Sequence, residues 1–174
     1  VMVERRGQVE HAGDELHGDA RHVARPAAVP GIAHAFDVDS YESAQKLGDH
    51  LQGLRALPDS PERNTVVVVG GGFTGIETAT EMPARLREVL GERADIRVVV
   101  VDSGAAVGAA MGEAMAEVIA QASDELGVTW RLGSAVQSVD ANGVVLADGE
   151  RIAASHVVLA VGHSARDTFH MLHG

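Results

Sequence analysis

The sequence predicts an α/β fold, a Rossmann-like parallel sheet with an inserted antiparallel β-meander. Three observations carry this prediction. Two valine-rich runs, at residues 66–69 and 96–101, are each followed by a helical pattern, as in parallel sheets buried on both faces. A glycine-rich turn joins the first run to its helix. Later in the chain, Asn142-Gly143 and Asp148-Gly149 separate short alternating runs, which is typical of two-residue hairpins.

Residues 1–28 are charged and rich in glycine, without a helical or strand period. Two interpretations stay open: a pair of short strands joined by a turn at residues 13–15, or a poorly ordered tail. His11, His17 and His22 lie in this stretch, where no predicted rigid element fixes their geometry. We therefore expect solvated histidines rather than a metal site.

The first predicted helix follows Asp39 or Ser40, either of which can cap its amino end. Its apolar residues recur at spacings of three and four and form one face: Ala44, Leu47, Leu51 and Leu54. We expect the helix to end before Pro58 and to serve packing rather than chemistry.

The glycine-rich turn carries the G-x-G-x-x-G fingerprint of dinucleotide binding at Gly70, Gly72 and Gly75. Gly70 permits the tight turn after the strand, and Gly72 lets the backbone approach a pyrophosphate. Gly75 lets the next helix pack closely, with its N–H groups and dipole facing the phosphates. The alternative is a βαβ unit whose glycines only make a turn.

An acid follows the second valine-rich strand, as a ribose-binding site requires. Asp102 comes directly after residues 96–101, where its carboxylate can accept both hydroxyls of an adenosine ribose. The usual separation between the fingerprint and this acid is about 20 residues. The separation is larger in this sequence, and a long helix over roughly residues 74–90 explains the difference. Pro83 lies inside that helix and predicts a kink near residues 79–82.

The remaining elements complete the α/β pattern. A second helix is predicted over residues 111–126 and a third strand over residues 128–132, and the meander follows. Five apolar residues of the second helix are predicted to face inward: Met115, Val118, Ile119, Ala122 and Leu126. Residues 156–162 form an apolar strand suited to rejoin the parallel sheet, and residues 166–172 have a helical pattern.

Composition argues against several classes of protein. A net charge of −11 without a basic cluster opposes a nucleic-acid partner, and 3% aromatic residues cannot build a platform for stacking bases. The absence of cysteine excludes a disulfide or a redox dithiol within this sequence. No apolar run approaches about 18 residues, and no signal peptide is visible. The acidity indicates a soluble surface, and we expect a cytoplasmic protein. Val1 in place of methionine suggests a fragment.

The order of these features resembles one enzyme family. The resemblance rests on the run G-G-G-F-T-G-I-E-T-A-T-E from Gly70, the strand ending at Asp102, the meander, and the A-V-G that ends at Gly162. Together they resemble the NAD(P)H-binding domain of two-dinucleotide-binding-domain FAD oxidoreductases, in particular the type II NADH dehydrogenase-like group. The resulting division is an N-terminal remnant of the flavin-domain side with a connecting helix (1–60), an NADH-binding domain (61–162) and a helical tail (163–174).

The resemblance implies cofactor contacts at nine positions: Gly70, Gly71, Gly72, Phe73, Thr74, Gly75, Glu77, Asp102 and Gly162. The three fingerprint glycines would hold the NADH pyrophosphate, and Asp102 the adenosine ribose. Glu77 matches a position near the nicotinamide, or is simply an acid favoured by the helix dipole. Gly162 would let a second glycine turn approach the cofactor, or only makes a turn.

In this family NADH passes a hydride to the flavin N5, and the electrons continue to a quinone or another acceptor. The flavin carries the redox change, so no catalytic acid or base and no metal is predicted here. Asp102 would repel a 2′-phosphate and no base follows in residues 103–108, which favours NAD(H) over NADP(H).

The flavin half has no counterpart in this sequence, because no second fingerprint is present. We expect FAD, a flavin-bearing half, and any peripheral membrane association only in a complete enzyme. The alternative is a catalytically inactive nucleotide-binding fragment.

Other enzymes with a Rossmann sheet fit less well. Short-chain dehydrogenases need a Tyr-x3-Lys pair, whereas the single tyrosine, Tyr41, is followed by Gln45. Methyltransferases also end their second strand on an acid, but the three-glycine fingerprint and the meander oppose that class.

His163, His170 and His173 are expected to be exposed rather than to bind metal.

Overall fold

The computed structural model describes residues 29–108 and 111–160. These residues form eight strands: β1 (Phe36–Asp37), β2 (Thr65–Val69), β3 (Arg97–Val101), β4 (Val128–Arg131), β5 (Val136–Asp140), β6 (Gly143–Leu146), β7 (Arg151–Ala153) and β8 (His156–Leu159). A parallel sheet has the order β1-β8-β2-β3-β4, and β5-β6-β7 form a separate antiparallel sheet. The predicted α/β fold with an inserted meander is confirmed.

Three helices pack on one face of the parallel sheet: α1 (Tyr41–Gly53), α2 (Phe73–Leu90) and α3 (Glu113–Leu126). Side chains alternate along a strand, so Val66 and Val68 of β2 face the helices and contribute to one buried cluster. The leucines predicted for the apolar face of the first helix join this cluster, whereas Ala44 is exposed: Leu47, Leu51 and Leu54 are buried.

The antiparallel sheet covers the other face. Val67 of β2 packs with Val144 and Ile152 of the meander in a second buried cluster. The Asn142-Gly143 turn requires glycine, because Gly143 has φ 129° and an added Cβ would lie 2.1 Å from the Ile152 carbonyl oxygen. The domain is therefore three layers deep, with valine-rich strands buried on both sides.

Capping groups mark two of the helix ends, and the one at the start of α1 is among the two residues predicted for it. Ser40 caps α1, since its Oγ accepts the Ser43 N–H at 3.1 Å. Gly91 ends α2 with φ 93°, and its N–H donates to the Arg87 carbonyl. Pro83 is buried inside α2, which continues on both sides of it, so the proline does not divide the helix.

The inward face predicted for the helix over residues 111–126, which is α3, is partly wrong. Met115 and Val118 are 48% and 59% exposed, whereas Ile119 and Ser123 are buried. The buried positions are four residues apart, as one helix face requires, but one of them is polar. A count of apolar residues missed Ser123 because its hydroxyl is hydrogen-bonded inside the fold, to Trp130.

Several sequence predictions fall outside the described residues. They are the N-terminal stretch 1–28 with its histidines, Gly162, the helix over 166–172, and the C-terminal histidines. Among residues 29–108 and 111–160, no helix combines the length and the apolar character needed to cross a membrane.

Candidate functional site

The glycine-rich turn lies at the carboxyl end of β2, and the path of its backbone requires glycine at Gly70 and Gly75. Gly70 has φ 108°, a region that side chains disfavour. An added Cβ at Gly75 would lie 1.9 Å from the Gly70 carbonyl oxygen. Glycine at these two positions therefore allows β2 to turn directly into a closely packed α2.

Gly72 differs, because no contact with the described residues explains a glycine there. Its φ of −75° suits any residue, and an added Cβ would meet none of their atoms within 4 Å. The missing side chain leaves open space in front of the first turn of α2. Such space is what a backbone must offer when a phosphate group approaches it.

The amino end of α2 presents free hydrogen-bond donors to that space. Gly72 is the N-cap residue, no side chain caps the helix, and its first turn contains no acid. The first helical bond runs from the Ile76 N–H to the Gly72 carbonyl. In the described part of the chain, nothing accepts a hydrogen bond from the N–H groups of Phe73, Thr74 or Gly75. Together with the helix dipole, these donors form an anion-binding site.

Asp102 stands beside the glycine turn and is held at both carboxylate oxygens. Oδ1 accepts the Gly71 N–H at 3.0 Å, and Oδ2 accepts the Gly104 N–H at 3.0 Å. A carboxylate offers about four acceptor positions, so each oxygen keeps capacity for one further donor. The backbone of Asp102 is also tied to the end of β4, where its N–H donates to the Arg131 carbonyl, and to the chain after β4, where its carbonyl accepts the Ser134 N–H. The half-buried acid is therefore fixed in direction.

A cavity of about 340 Å³ opens next to these groups. Its lining includes Gly70, Asp102 and Ser134, with Val69 and Leu159 from the ends of β2 and β8. From β2 the chain moves to β3 and β4 on one side, while β8 lies on the other. Ligands of open α/β sheets bind at such a change of direction, beyond the carboxyl ends of the strands.

The other predicted site residues lie around this edge. Phe73 is 67% exposed at the start of α2, and Thr74 is half-buried next to it. Glu77 is exposed, and its carboxylate has no hydrogen bond to the described residues. Within those residues no group of three potential ligands could hold a metal ion.

Sequence reasoning missed two members of this site. Gly104 follows Asp102 by two residues, and this spacing is a local signal, because aspartate often accepts an N–H two residues on. Trp130 gives no local signal. It reaches the site from β4, through a contact that only the fold creates.

A second polar cluster lies at the opposite, amino end of the strands and was also missed. His156 is fully buried in β8, with its Nε2 at 2.8 Å from the Arg63 carbonyl oxygen. A carbonyl can only accept, so this nitrogen carries the proton, and Nδ1 accepts from His50 Nε2 at 2.7 Å. Burial lowers the pKa of His156 to about 4 and also lowers the pKa of His50. The pair links α1 to β8 in its neutral form.

Comparison with known proteins identifies the family. The sequence matches the pyridine nucleotide-disulphide oxidoreductase family over residues 20–171. It is 46% identical over 147 residues to NADH dehydrogenase-like proteins from two strains of Mycobacterium tuberculosis, CDC 1551 / Oshkosh and H37Rv. The match covers 83% of this chain and 36% of each relative. The chain thus spans about a third of the length of these curated relatives.

Solved structures share the fold. NDH2 from Plasmodium falciparum in complex with NADH superposes with a TM-score of 0.68 at 18% identity, covering 77% of this chain and 31% of that one. An NAD-dependent persulfide reductase from A. fulgidus superposes with a TM-score of 0.59 at 25% identity, covering 84% and 26%. These structural matches agree with the fold described above, and the family match over residues 20–171 covers most of the chain. The chain belongs to the pyridine nucleotide-disulphide oxidoreductase family.

Proposed function

We propose that this chain is the NADH-binding portion of an FAD-dependent oxidoreductase, which passes a hydride from NADH to a flavin and on to a quinone or another acceptor. The observation that carries the proposal is the pairing of a helix amino end that no side chain caps with a carboxylate fixed beside it. The pyrophosphate fits the first of these groups and the adenosine ribose the second.

The fit is residue by residue. The open space at Gly72 lets the pyrophosphate reach the N–H groups of Phe73 and Thr74. The free acceptor positions of Asp102 suit the two hydroxyls of the ribose. In this proposal Glu77, exposed near the start of α2, would lie toward the nicotinamide end. The cofactor contact expected at Gly162 stays a prediction, because that residue is outside the described ones. Bound NADH supplies the hydride, and these residues bind and orient it without donating or removing a proton.

The choice of nucleotide follows from charge. A 2′-phosphate on the adenosine ribose would sit against the carboxylate of Asp102, whose backbone and side chain are both held. Residues 103–108 contain no base to neutralise that phosphate. We therefore propose NADH rather than NADPH as the cofactor.

The flavin requires a second site. The described residues contain one G-x-G-x-x-G turn, the one that leads into α2, and NADH occupies it in this proposal. The helix α3 also begins at a glycine without a side-chain cap, but it has Glu113 in its first turn, which opposes an anion there. We assign NADH binding to residues 61–162, with 1–60 and 163–174 as flanking segments, and FAD to a flavin-bearing half. A cytoplasmic location, with peripheral membrane association in the complete enzyme, is part of the same proposal.

A second candidate function is a nucleotide-binding fragment without oxidoreductase activity. The chain spans 36% of the length of its curated relatives, so the activity of a whole relative is a proposal for it. Both candidates include NADH binding, and they differ in whether a flavin accompanies it.

The test is a pair of titrations with NADH and NADPH, followed by cofactor fluorescence, on the chain and on an Asp102→Ala variant. Saturable NADH binding that weakens in the variant, with poorer NADPH binding, supports the site. An absorbance spectrum of the purified chain then separates the two candidates, because flavin bands would favour the complete enzyme. Failure to bind either nucleotide would refute both.

A further inference from the structure

Trp130 lies below the glycine turn, on the helix side of the sheet. It pairs with Val100 of β3 and packs, half-buried, against the core formed by the helices and the sheet. It is the single tryptophan of the sequence. Nothing in the function proposed above uses this residue.

The indole edge and the ribose acid meet at Gly71. A Cβ added to this glycine would lie 2.9 Å from Trp130 Cζ3 and 2.9 Å from Asp102 Cγ. The ring and the carboxylate therefore fill the same side of Gly71, which is buried. The Gly71 N–H donates to Asp102 Oδ1 at that point, so the ring limits movement of the turn away from its hydrogen bond.

The orientation of the ring is fixed from α3. The indole Nε1 donates to Ser123 Oγ at 3.0 Å, and Ser123 is 1% exposed. A buried indole N–H needs such a partner, and here the partner also determines which edge of the ring points at Gly71. A chain of contacts thus runs from Ser123 through Trp130 to Gly71 and Asp102.

We infer that Trp130 is a positioning residue, which holds the glycine turn and Asp102 in the arrangement that selects NADH over NADPH; this inference rests on the function proposed above. With a smaller ring, Gly71 gains room to move and the carboxylate loses its fixed direction. The bond to the ribose hydroxyls weakens, and so does the repulsion of a 2′-phosphate. The variant therefore loses more affinity for NADH than for NADPH.

The test compares dissociation constants for NADH and NADPH in three variants of the full chain. Trp130→Phe withdraws the ring edge, and Ser123→Ala removes the acceptor that orients it. Val128→Ala is the matched control, because Val128 is buried on the same strand and in the same cluster but meets neither Gly71 nor Asp102 in these contacts. We expect all three variants to lower the melting temperature. A change in the ratio of the two dissociation constants that Val128→Ala does not share is therefore not caused by lost stability.

We expect Trp130→Phe to weaken NADH binding about three- to tenfold, as for one lost hydrogen bond, and to leave NADPH binding unchanged. Ser123→Ala should act in the same direction with a smaller factor. In an Asp102→Ala background, Trp130→Phe should cost no further affinity, because it acts through that carboxylate. The native indole should also transfer its excitation to bound NADH, whose reduced nicotinamide absorbs where tryptophan emits.

Equal weakening of NADH and NADPH, or an unchanged ratio of the two in both Trp130→Phe and Ser123→Ala, would overturn the inference. The same holds if Val128→Ala shifts the ratio as much. If Trp130→Phe does not fold, Ser123→Ala alone decides, since it keeps the ring. An unaltered chain that binds neither nucleotide would remove the proposed function itself, and the inference with it.

Discussion

The buried histidine pair makes the stability of this domain depend on pH in a defined direction. His156 and His50 are neutral in the fold, and the pKa of His156 falls from 6.5 to about 4 because it is buried. On acidification the unfolded chain takes up a proton near pH 6.5, before the folded chain does. Stability from this group is therefore complete at neutral pH, declines as the pH falls from about 6.5 to about 4, and is lost below that.

The size of the effect follows from the shift. A pKa difference from 6.5 to about 4 corresponds to about 3 kcal/mol of unfolding free energy. Among the described residues, the groups that face the pair are the Phe36 ring, 4.6 Å from the His50 ring between centroids, the Arg63 carbonyl and the Ser155 backbone. None of them offers a carboxylate to stabilise an imidazolium, so protonation in the fold stays unfavourable.

The perturbation is His156→Gln, whose amide can still donate to the Arg63 carbonyl but does not titrate. Urea unfolding of both proteins between pH 8 and pH 4 gives the free energy at each pH. We expect the wild type to lose about 3 kcal/mol more than the variant over this range. His34→Gln is the control, because His34 is exposed, and it should follow the wild type. Parallel curves for wild type and His156→Gln would refute the reasoning.

Three further predictions concern the site and the third helix. Gly72→Ala should leave the melting temperature unchanged and weaken NADH binding at least about tenfold in a titration. Gly75→Ala should lower both the melting temperature and the affinity for NADH, because its Cβ would lie 1.9 Å from the Gly70 carbonyl oxygen. Asp102→Asn keeps one acceptor oxygen and loses the charge, so the ratio of NADPH to NADH dissociation constants should fall; an unchanged ratio contradicts the charge argument. Met115→Glu should change the unfolding free energy by less than about 0.5 kcal/mol, and Ile119→Ala should cost about 2–4 kcal/mol; equal costs would contradict the observed face of α3.

Local sequence was sufficient to predict the fold class and the centre of the site. Gly70 and Gly75 serve a turn and a close approach within six residues, so their spacing alone reveals them. Asp102 was predictable because the end of a strand is visible in the valine run before it. These features depend on backbone geometry that neighbouring residues determine.

The features that sequence did not reveal depend on contacts between distant segments. His50 and His156 are 106 residues apart, and neither position has a pattern that marks it as buried. Ser123 looks like a surface residue until Trp130 is placed beside it. The same contact explains the error in α3, because a polar residue took an inward position that an apolar count assigned to others.

The position of β8 has a consequence for how the chain assembles. Among the described strands, β1 pairs with β8 alone, Phe36 opposite Val158, and β8 also closes the free edge of β2. While the protein is being synthesised, β2, β3 and β4 can associate early, but β2 keeps an unpaired, valine-rich edge until residues 156–159 emerge. A chain interrupted before that strand would expose this edge to other chains. Synthesis of β8 is therefore the step that closes the valine-rich edge of β2.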